Sequence, residues 1–262
     1  MIPDWQLVTT AIAQAEAAGA RLGVSLIAPS GARFAHNADR RFIAASTIKI
    51  GIMIELFRQI DAGKHMLDDR HTLSTAEKSG GSGILAHLHA GIDLTMADLV
   101  FLMMSISDNT ATNLLIDRVG MAEVNAALQT LGTPQSRLGR KMTGRPGKHE
   151  SEENWVVPNE FATLIDAILT NQAASANACA QMVALLEQQQ NDRRIARHLP
   201  SQNRPRWGSK TGSLPGIVND IGFIMTDAGP LILAVLCEWP GAAVEGEDII
   251  GAVAKAALSA VG

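Results

Sequence analysis

The sequence has few cysteines, little net charge and no long uninterrupted apolar segment. Its two cysteines, Cys179 and Cys237, lie far apart and form no C-x-x-C pair, so neither a disulfide framework nor a zinc ribbon is indicated. The net charge of −4, without a run of Lys or Arg, provides no basic surface for nucleic acid or for a membrane. No apolar stretch approaches the ~20 residues of a transmembrane helix. These absences leave a small molecule or a peptide as the expected partner.

The composition is that of a globular enzyme. Hydrophobic residues make up 47% of the 262 residues and charged residues 18%, which permits a sizeable core. The length suits a single body of two lobes. The N-terminal twenty residues have no basic start and are interrupted by Gln6, Gln14 and Glu16, so we expect an amphipathic helix there and not a signal peptide.

Strand-like patterns occur at both ends of the chain, and helical patterns occur between them. Residues 22–26 alternate in polarity before a turn at 29–31, and the apolar runs 218–225 and 231–237 are joined by another turn. A helical pattern precedes the first strand and follows the last. From about residue 47 to residue 186 the apolar period is helical, with Gly- and Ser-rich breaks.

This order predicts an α+β fold with an antiparallel sheet and flanking helices, plus an inserted all-helical lobe. We expect residues 1–39 and 193–262 to form the sheet lobe and residues 40–192 to form the helical lobe. Functional sites tend to lie in the cleft between such lobes.

The motif S-x-x-K at residues 46–49 opens a segment that is apolar on nearly every side, which predicts a buried helix. Lys49 is anomalous there, because desolvating an ammonium costs several kcal/mol unless it is paired or neutralised. Ser46 and Lys49 are three residues apart and share one helix face, so the amine can reach the hydroxyl. A buried lysine with a lowered pKa can accept the proton of a serine nucleophile. The alternative is a helix-capping serine beside a lysine that reaches solvent.

Two further motifs are weak when each is taken alone. S-D-N at 107–109 lies between two helical segments and could be an ordinary capping turn. K-T-G at 210–212 lies just before the C-terminal strand pair and could supply a charge that protects a sheet edge. Each of the three motifs occurs once, in the order S-x-x-K, S-D-N, K-T-G.

This ordered set resembles that of the class A β-lactamases and penicillin-binding proteins. The resemblance covers nearly the whole chain: residues 21–46 resemble the strand pair that leads into the family's nucleophile helix, and 107–117 resemble its second motif and following helix. The chain contains no tyrosine, so it is not a relative with a Tyr-x-Asn second motif, such as a class C enzyme. The zinc β-lactamases are excluded because the His pair at 87–89 is followed by Gly91, where their motif has Asp.

The resemblance implies acyl transfer through a covalent ester, without a metal or other cofactor. It implies Ser46 as the nucleophile, Lys49 as its proton acceptor and Ser107 as the group that passes a proton to the leaving nitrogen. The backbone N–H groups of Ser46 and Ser213 would form the oxyanion hole. The residues implied in binding the side chain or the carboxylate of the substrate are Asn109, Lys210, Thr211, Gly212 and Arg197.

One family residue is missing. Class A enzymes activate the hydrolytic water with a glutamate on the loop between the second and third motifs, and its place falls near Met142. A thioether cannot accept a proton. One of Glu150, Glu152 and Glu153 could fold back over Ser46, although charge runs usually face water.

The chain departs from the family pattern at two further positions, 154 and 218. Arg140 matches the arginine of the loop, but its aspartate partner is replaced by Asn154, which predicts a hydrogen bond in place of an ion pair and a looser loop. Val218 stands where many members have an arginine near the carboxylate pocket. We expect Arg197, from the neighbouring segment, to supply that charge.

The leading expectation is a serine hydrolase of the class A β-lactamase type, acylated at Ser46 by a β-lactam and weak in hydrolysing the resulting ester. The alternatives are a peptidase or esterase of the penicillin-binding superfamily and a penicillin-binding module that acylates and stops. We expect a monomer that acts on a β-lactam or a peptide-like carboxylate, with no nucleic-acid or membrane partner. The resemblance implies a periplasmic or secreted location, although the sequence shows no signal peptide.

Overall fold

The computed structural model describes residues 3–262; residues 1 and 2, which belong to the expected N-terminal segment, lie outside the described residues. The α-helices of this range are α1 (Gln6–Ala17), α2 (Lys49–Asp61), α3 (Met96–Ser105), α4 (Asn109–Val119), α5 (Met121–Thr130), α6 (Pro158–Leu169), α7 (Ala176–Glu187) and α8 (Ala243–Val261). The strands are β1 (Arg21–Ile27), β2 (Arg33–His36), β3 (Phe42–Ile43), β4 (Arg70–Thr72), β5 (Asp93–Thr95), β6 (Trp155–Val156), β7 (Trp207–Leu214), β8 (Ile217–Thr226) and β9 (Gly229–Glu238). None of the helices formed by residues 3–262 combines the length and apolarity that a bilayer crossing requires.

One antiparallel sheet joins the two ends of the chain. Its strand order is β2-β1-β9-β8-β7, and β1 pairs with β9 from Arg21 opposite Glu238 to Ile27 opposite Ile232. The hairpin β1–β2 and the hairpin β8–β9 confirm the predicted strands and turns. Gly229 has a φ of 125° in the second turn, a conformation that glycine adopts at little cost.

Both faces of the sheet are buried. Alternate residues of a strand point to opposite faces, and in β9 the odd-numbered residues from Leu231 to Cys237 pack with α1 and α8. The even-numbered residues from Ile232 to Leu236 pack with the helices of the middle segment. This two-sided burial explains why β8 and β9 appear in the sequence as continuous apolar runs. The lobe boundaries at 39/40 and 192/193 stay a prediction.

Helix α2 lies at the centre of the helical part and contacts α3, α4, α5 and α7. Ten of its residues are buried, on every side of the helix, as its sequence predicted. A short 3-10 turn, Ala45–Ile48, leads into it and packs against β7 and β8. The fold thus places the start of the most buried helix at the edge of the sheet.

Strand β7 was not predicted, and it holds the K-T-G motif within it rather than before the strand pair. It is the last strand of the sheet order, yet residues 208–212 are buried because α7 and the 3-10 turn cover them. Its sequence, WGSKTGSL, is polar and contains two glycines, so it lacks the apolar run that identifies β8 and β9. The short pairs β3–β6 and β4–β5 in the helical part were likewise not predicted.

Candidate active site

The three motifs meet at two adjoining cavities, of about 190 Å³ and about 310 Å³. Ser46, Ser82 and Ser213 line both cavities, so they form one cleft with Ser46 at its middle. The smaller cavity is also lined by Ala45, Gly81, Asn109, Arg140, Met142, Thr143, Gly144, Arg145, Asn154 and Leu214. The larger one is also lined by Ser105, Ile106, Ser107, Gln189, Gln190, Asn191 and Thr211. Within residues 3–262 no group of three His, Cys, Asp or Glu side chains could hold a metal ion.

Ser46 lies half-buried in the 3-10 turn that precedes α2. Ala45, just before it, has a φ of 47°, and Ser107 on the opposite wall of the cleft has a φ of 60°. A non-glycine residue in this left-handed region costs on the order of 1–3 kcal/mol and persists where the surrounding structure enforces it. Both walls beside Ser46 therefore hold a strained residue, a feature typical of functional sites.

Lys49 is fully buried, as its position in an apolar helix predicted. Its Nζ donates hydrogen bonds to Ser107 O (2.8 Å), Ser107 Oγ (3.0 Å) and Asn109 Oδ1 (3.0 Å). Burial first, and then the nearby charge of Lys210, lower the pKa of the Lys49 amine well below its usual value, although Asp108 opposes the shift. Three donated hydrogen bonds describe the ammonium form; the neutral amine keeps two N–H groups and a lone pair, which can accept the proton of a neighbouring hydroxyl.

The residues after Ser107 hold the loop at 79–85 against the cleft. Asn109 donates from its side chain to the carbonyl oxygen of Gly80 (3.0 Å) and from its backbone to that of Ser82 (2.9 Å). Asp108 caps α4 and also accepts hydrogen bonds from the backbone N–H groups of residues 84 and 85. Sequence reasoning gave Asp108 only a capping role, because its distant partners leave no local signal.

On the sheet side, Thr211 lines the larger cavity and Lys210 is fully buried behind it. The Nζ of Lys210 donates to Thr211 O at 3.0 Å. Burial, with a smaller contribution from Arg194, lowers the pKa of Lys210 to about 7, although Asp220 opposes the shift. Lys210 is therefore a cation whose charge can be lost near neutral pH.

Gly212 is a point of close approach between β7 and the serine turn. A Cβ atom placed on it would lie 2.8 Å from Ala44 O and 3.1 Å from Ser46 N. Only glycine fits at this distance, since real Cβ atoms do not approach other atoms so closely. The next residue, Ser213, is thereby held beside the backbone of Ser46.

The arginine that contacts the end of β7 is Arg194, and not Arg197 as the sequence had suggested. Arg194 is 3% exposed and donates to Ser213 Oγ at 2.6 Å and to two backbone carbonyl oxygens, one of them that of Gly212. Arg197 is not brought to the cleft: its guanidinium pairs with Asp248 on α8. The two arginines are three residues apart on one segment, and only the fold decides which of them contacts Ser213, a residue that lines the cleft.

An ion pair anchors the loop between α5 and α6. Arg140 donates from Nε and Nη2 to Glu153 Oε1 at 3.1 Å and 2.8 Å, and Glu153 is buried. Asn154 Oδ1 accepts hydrogen bonds from the backbone of Gly139 and of Arg140. The expectation that Asn154 replaces an ion pair was therefore wrong, because Glu153 supplies the acid one residue earlier.

Met142 lines the smaller cavity, and its backbone is fixed independently of its side chain. Its N–H donates to Asn113 Oδ1 (2.8 Å), and its carbonyl oxygen accepts from Asn113 Nδ2 (2.9 Å) and from Ser79 Oγ (2.8 Å). A different side chain at position 142 would therefore start from the same backbone position.

None of the described residues that line the two cavities is Asp or Glu. Glu150 and Glu152 are exposed, as expected of a charge run, and Glu150 lies 3.8 Å from Arg41. Glu153 is buried, contrary to that expectation, and is bound by Arg140. The described lining of the cleft therefore offers no carboxylate base. The amine of Lys49, three residues after Ser46, is the basic group nearest to Ser46 in the sequence.

The chain is similar to several characterised proteins. Residues 7–261 match the family model described as the beta-lactamase enzyme family. Beta-lactamase CTX-M-97 of Escherichia coli is 30% identical over 252 residues, which cover 92% of this chain and 84% of that protein. The crystal structure of a beta-lactamase from Sphaerobacter thermophilus is 52% identical, with 99% of this chain and 98% of that chain covered and a TM-score of 0.97. An ancestral class A beta-lactamase is 28% identical, with 97% and 100% covered and a TM-score of 0.89.

Proposed function

The chain belongs to the beta-lactamase enzyme family, and on this premise we propose that Ser46 opens a β-lactam ring, holds the acyl group as an ester and releases it slowly. The family match confirms the resemblance that the three motifs indicated. Together with the class A fold, it supports a hydrolase of the β-lactamase type. The observation that carries the proposal is the cleft itself, in which Ser46 is followed by a buried lysine of lowered pKa and none of the described lining residues carries a carboxylate.

In the acylation step, Ser46 Oγ attacks the carbonyl carbon of the lactam and its proton passes to the neutral amine of Lys49. The new C–O bond forms as the electron pair of the carbonyl double bond moves to its oxygen, and the bond between the carbonyl carbon and the ring nitrogen breaks when this oxyanion collapses. Ser107, which accepts a hydrogen bond from Lys49, would relay the proton to that nitrogen. The N–H groups of Ser46 and Ser213 would stabilise the oxyanion, and the close approach at Gly212 supports this role.

The carboxylate of the substrate would occupy the larger cavity. Thr211 offers a hydroxyl there, and two buried cations, Lys210 and Arg194, lie behind this wall. We propose that Arg194 supplies the positive charge near the substrate carboxylate that the sequence suggested for Arg197, because Arg194 donates a hydrogen bond to Ser213. Asn109, whose amide lies between Lys49 and the smaller cavity, would contact the acyl side chain.

Hydrolysis of the ester needs a base that activates water, and such a base contributes about 10²–10⁴-fold in rate. Met142 cannot supply it, and the described lining of the cleft offers no carboxylate instead. Release should therefore be slow. The same absence favours a second candidate function, a penicillin-binding module that acylates and stops.

The test is the mass of the intact protein, followed over time after mixing with benzylpenicillin. We expect the mass to increase by one whole penicillin molecule and the adduct to persist long after mixing. Ser46→Ala should show no adduct, because the sequence contains no second S-x-x-K. Hydrolysis of a peptide or ester without any penicillin adduct would instead support the peptidase or esterase alternative. An undiminished adduct on Ser46→Ala would contradict the assignment of the nucleophile.

A further inference from the structure

We propose that the smaller cavity favours substrates whose acyl side chain carries a carboxylate, and that Arg145 recognises this group. The inference rests on the proposed function and adds a substrate class to it.

The geometry assigns the acyl side chain to the smaller cavity. Ser46 lies between the two cavities, so the two ends of a bound acyl donor extend into different ones. Ser107 and Thr211, which would meet the leaving nitrogen and the substrate carboxylate, line only the larger cavity. The other end of the substrate, its acyl side chain, must then extend into the cavity that is lined by Asn109 and Met142.

The loop that covers this cavity is strongly basic. Residues 140–149 contain four Lys or Arg residues and no Asp or Glu. Arg140 is neutralised by Glu153, and Lys141 pairs with Asp117. Among residues 3–262, no ion pair involves Arg145, which lines the cavity and is exposed to solvent. Among the described residues, the cavity wall therefore carries an uncompensated cation and no anion that would repel a carboxylate.

The backbone of Arg145 is fixed relative to the cleft. Its carbonyl oxygen accepts hydrogen bonds from Arg140 Nη2 at 2.7 Å and from Thr143 Oγ1 at 3.3 Å. The ion pair between Arg140 and Glu153 thus also positions the start of the Arg145 side chain.

Three penicillins that differ at a single carbon test this inference: benzylpenicillin, its α-carboxy derivative and its α-amino derivative. We would measure the second-order rate of Ser46 acylation for each, by intact mass, in the unmodified protein, in Arg145→Gln and in Lys148→Gln. Lys148 is a matched control, because it is exposed on the same loop and outside both cavities. An exposed charge pair contributes about twofold to fivefold.

We expect Arg145→Gln to lower the rate ratio of the carboxy to the unsubstituted penicillin by about twofold to fivefold and to raise the ratio for the amino penicillin. Lys148→Gln should leave both ratios unchanged, and added salt should reduce the effect in the unmodified protein. Unchanged ratios in Arg145→Gln, or equal changes in both variants, would overturn the inference while leaving the acylation of Ser46 intact. No acylation by any of the three penicillins would contradict the proposed function as well.

Discussion

At the scale of single residues, the cleft depends on two lysines that the proposed chemistry requires in opposite states. Lys49 must be neutral to accept a proton, whereas Lys210 must be charged to attract a carboxylate. Both are fully buried, and burial favours the neutral amine in each case. Asp220 supports the charge of Lys210, whose pKa falls to about 7, whereas the charge of Lys210 adds to the lowering of the Lys49 pKa. The strongest charged neighbour of each amine thus acts in the direction that its proposed role requires.

The pKa of Lys210 predicts a pH dependence of substrate binding. Below about pH 7 the amine is protonated and attracts the carboxylate of the substrate, and above it the charge is progressively lost. The penicillin concentration that gives half-maximal acylation rate should therefore rise as the pH increases from about 6 to about 8. Lys210→Arg, which stays charged, should flatten this rise. The methyl ester of the same penicillin is the control, and an identical rise for the ester would show that Lys210 does not bind the carboxylate.

At the scale of elements, the site is a junction of four segments. The turn before α2 carries Ser46, the turn between α3 and α4 carries Ser107, β7 carries Ser213, and the loop between α5 and α6 carries Met142. Hydrogen bonds and ion pairs within and between these segments hold them together, and the contact between β7 and the serine turn leaves no room for a side chain at position 212. The geometry of Ser46 therefore depends on a residue without a side chain, Gly212.

Gly212→Ala should slow acylation about 10-fold to 100-fold, because a displacement of ~1 Å at a reacting group can cost that much. Its Cβ would meet Ala44 O at 2.8 Å, so the turn that carries Ser46 would have to shift. Gly80→Ala is the matched control, since a Cβ there meets nothing within 4 Å. The acylation rate and the thermal unfolding of both variants would be measured. A folded Gly212→Ala protein that acylates as fast as Gly80→Ala would contradict this account of β7.

At the scale of the whole molecule, the sheet brings the two ends of the chain together and the helical segment closes over one face of it. Two hydrophobic clusters, one on each side of the sheet, fix this arrangement. The cleft lies where the helical cluster meets the last strand of the sheet. A site built from residues 46, 107 and 213 is therefore held by long-range packing and not by any single element.

What the sequence predicted was carried by local patterns. The apolar runs of β8 and β9, the buried helix α2 and the S-x-x-K motif each occupy a short stretch with its own signal. The features that the sequence did not predict depend on contacts between residues far apart in the chain, or require a distinction between two nearby residues of the same type. Arg194 and Arg197 are equivalent in a local pattern, and Glu153 could not be distinguished from Glu152 until its partner Arg140 was placed. Strand β7 is polar and becomes buried only through the elements that cover it.

In the function proposed for this protein, a missing base, and not a defective nucleophile, limits turnover. Met142→Glu would place a carboxylate on a backbone that Asn113 and Ser79 already hold in position. The direct measurement is the rate at which the penicillin adduct on Ser46 disappears, followed by intact mass after the free penicillin is removed. We expect this rate to rise by about 10²–10⁴-fold in Met142→Glu, with acylation little changed.

Met142→Gln is the control for size and polarity, and it should release the adduct as slowly as the unmodified protein. Glu150→Gln and Glu152→Gln should not slow the release, because neither glutamate lines the cleft. Fast loss of the adduct is expected only in Met142→Glu. Rapid loss of the adduct from the unmodified protein, unaffected by the substitutions at Glu150 and Glu152, would contradict this expectation.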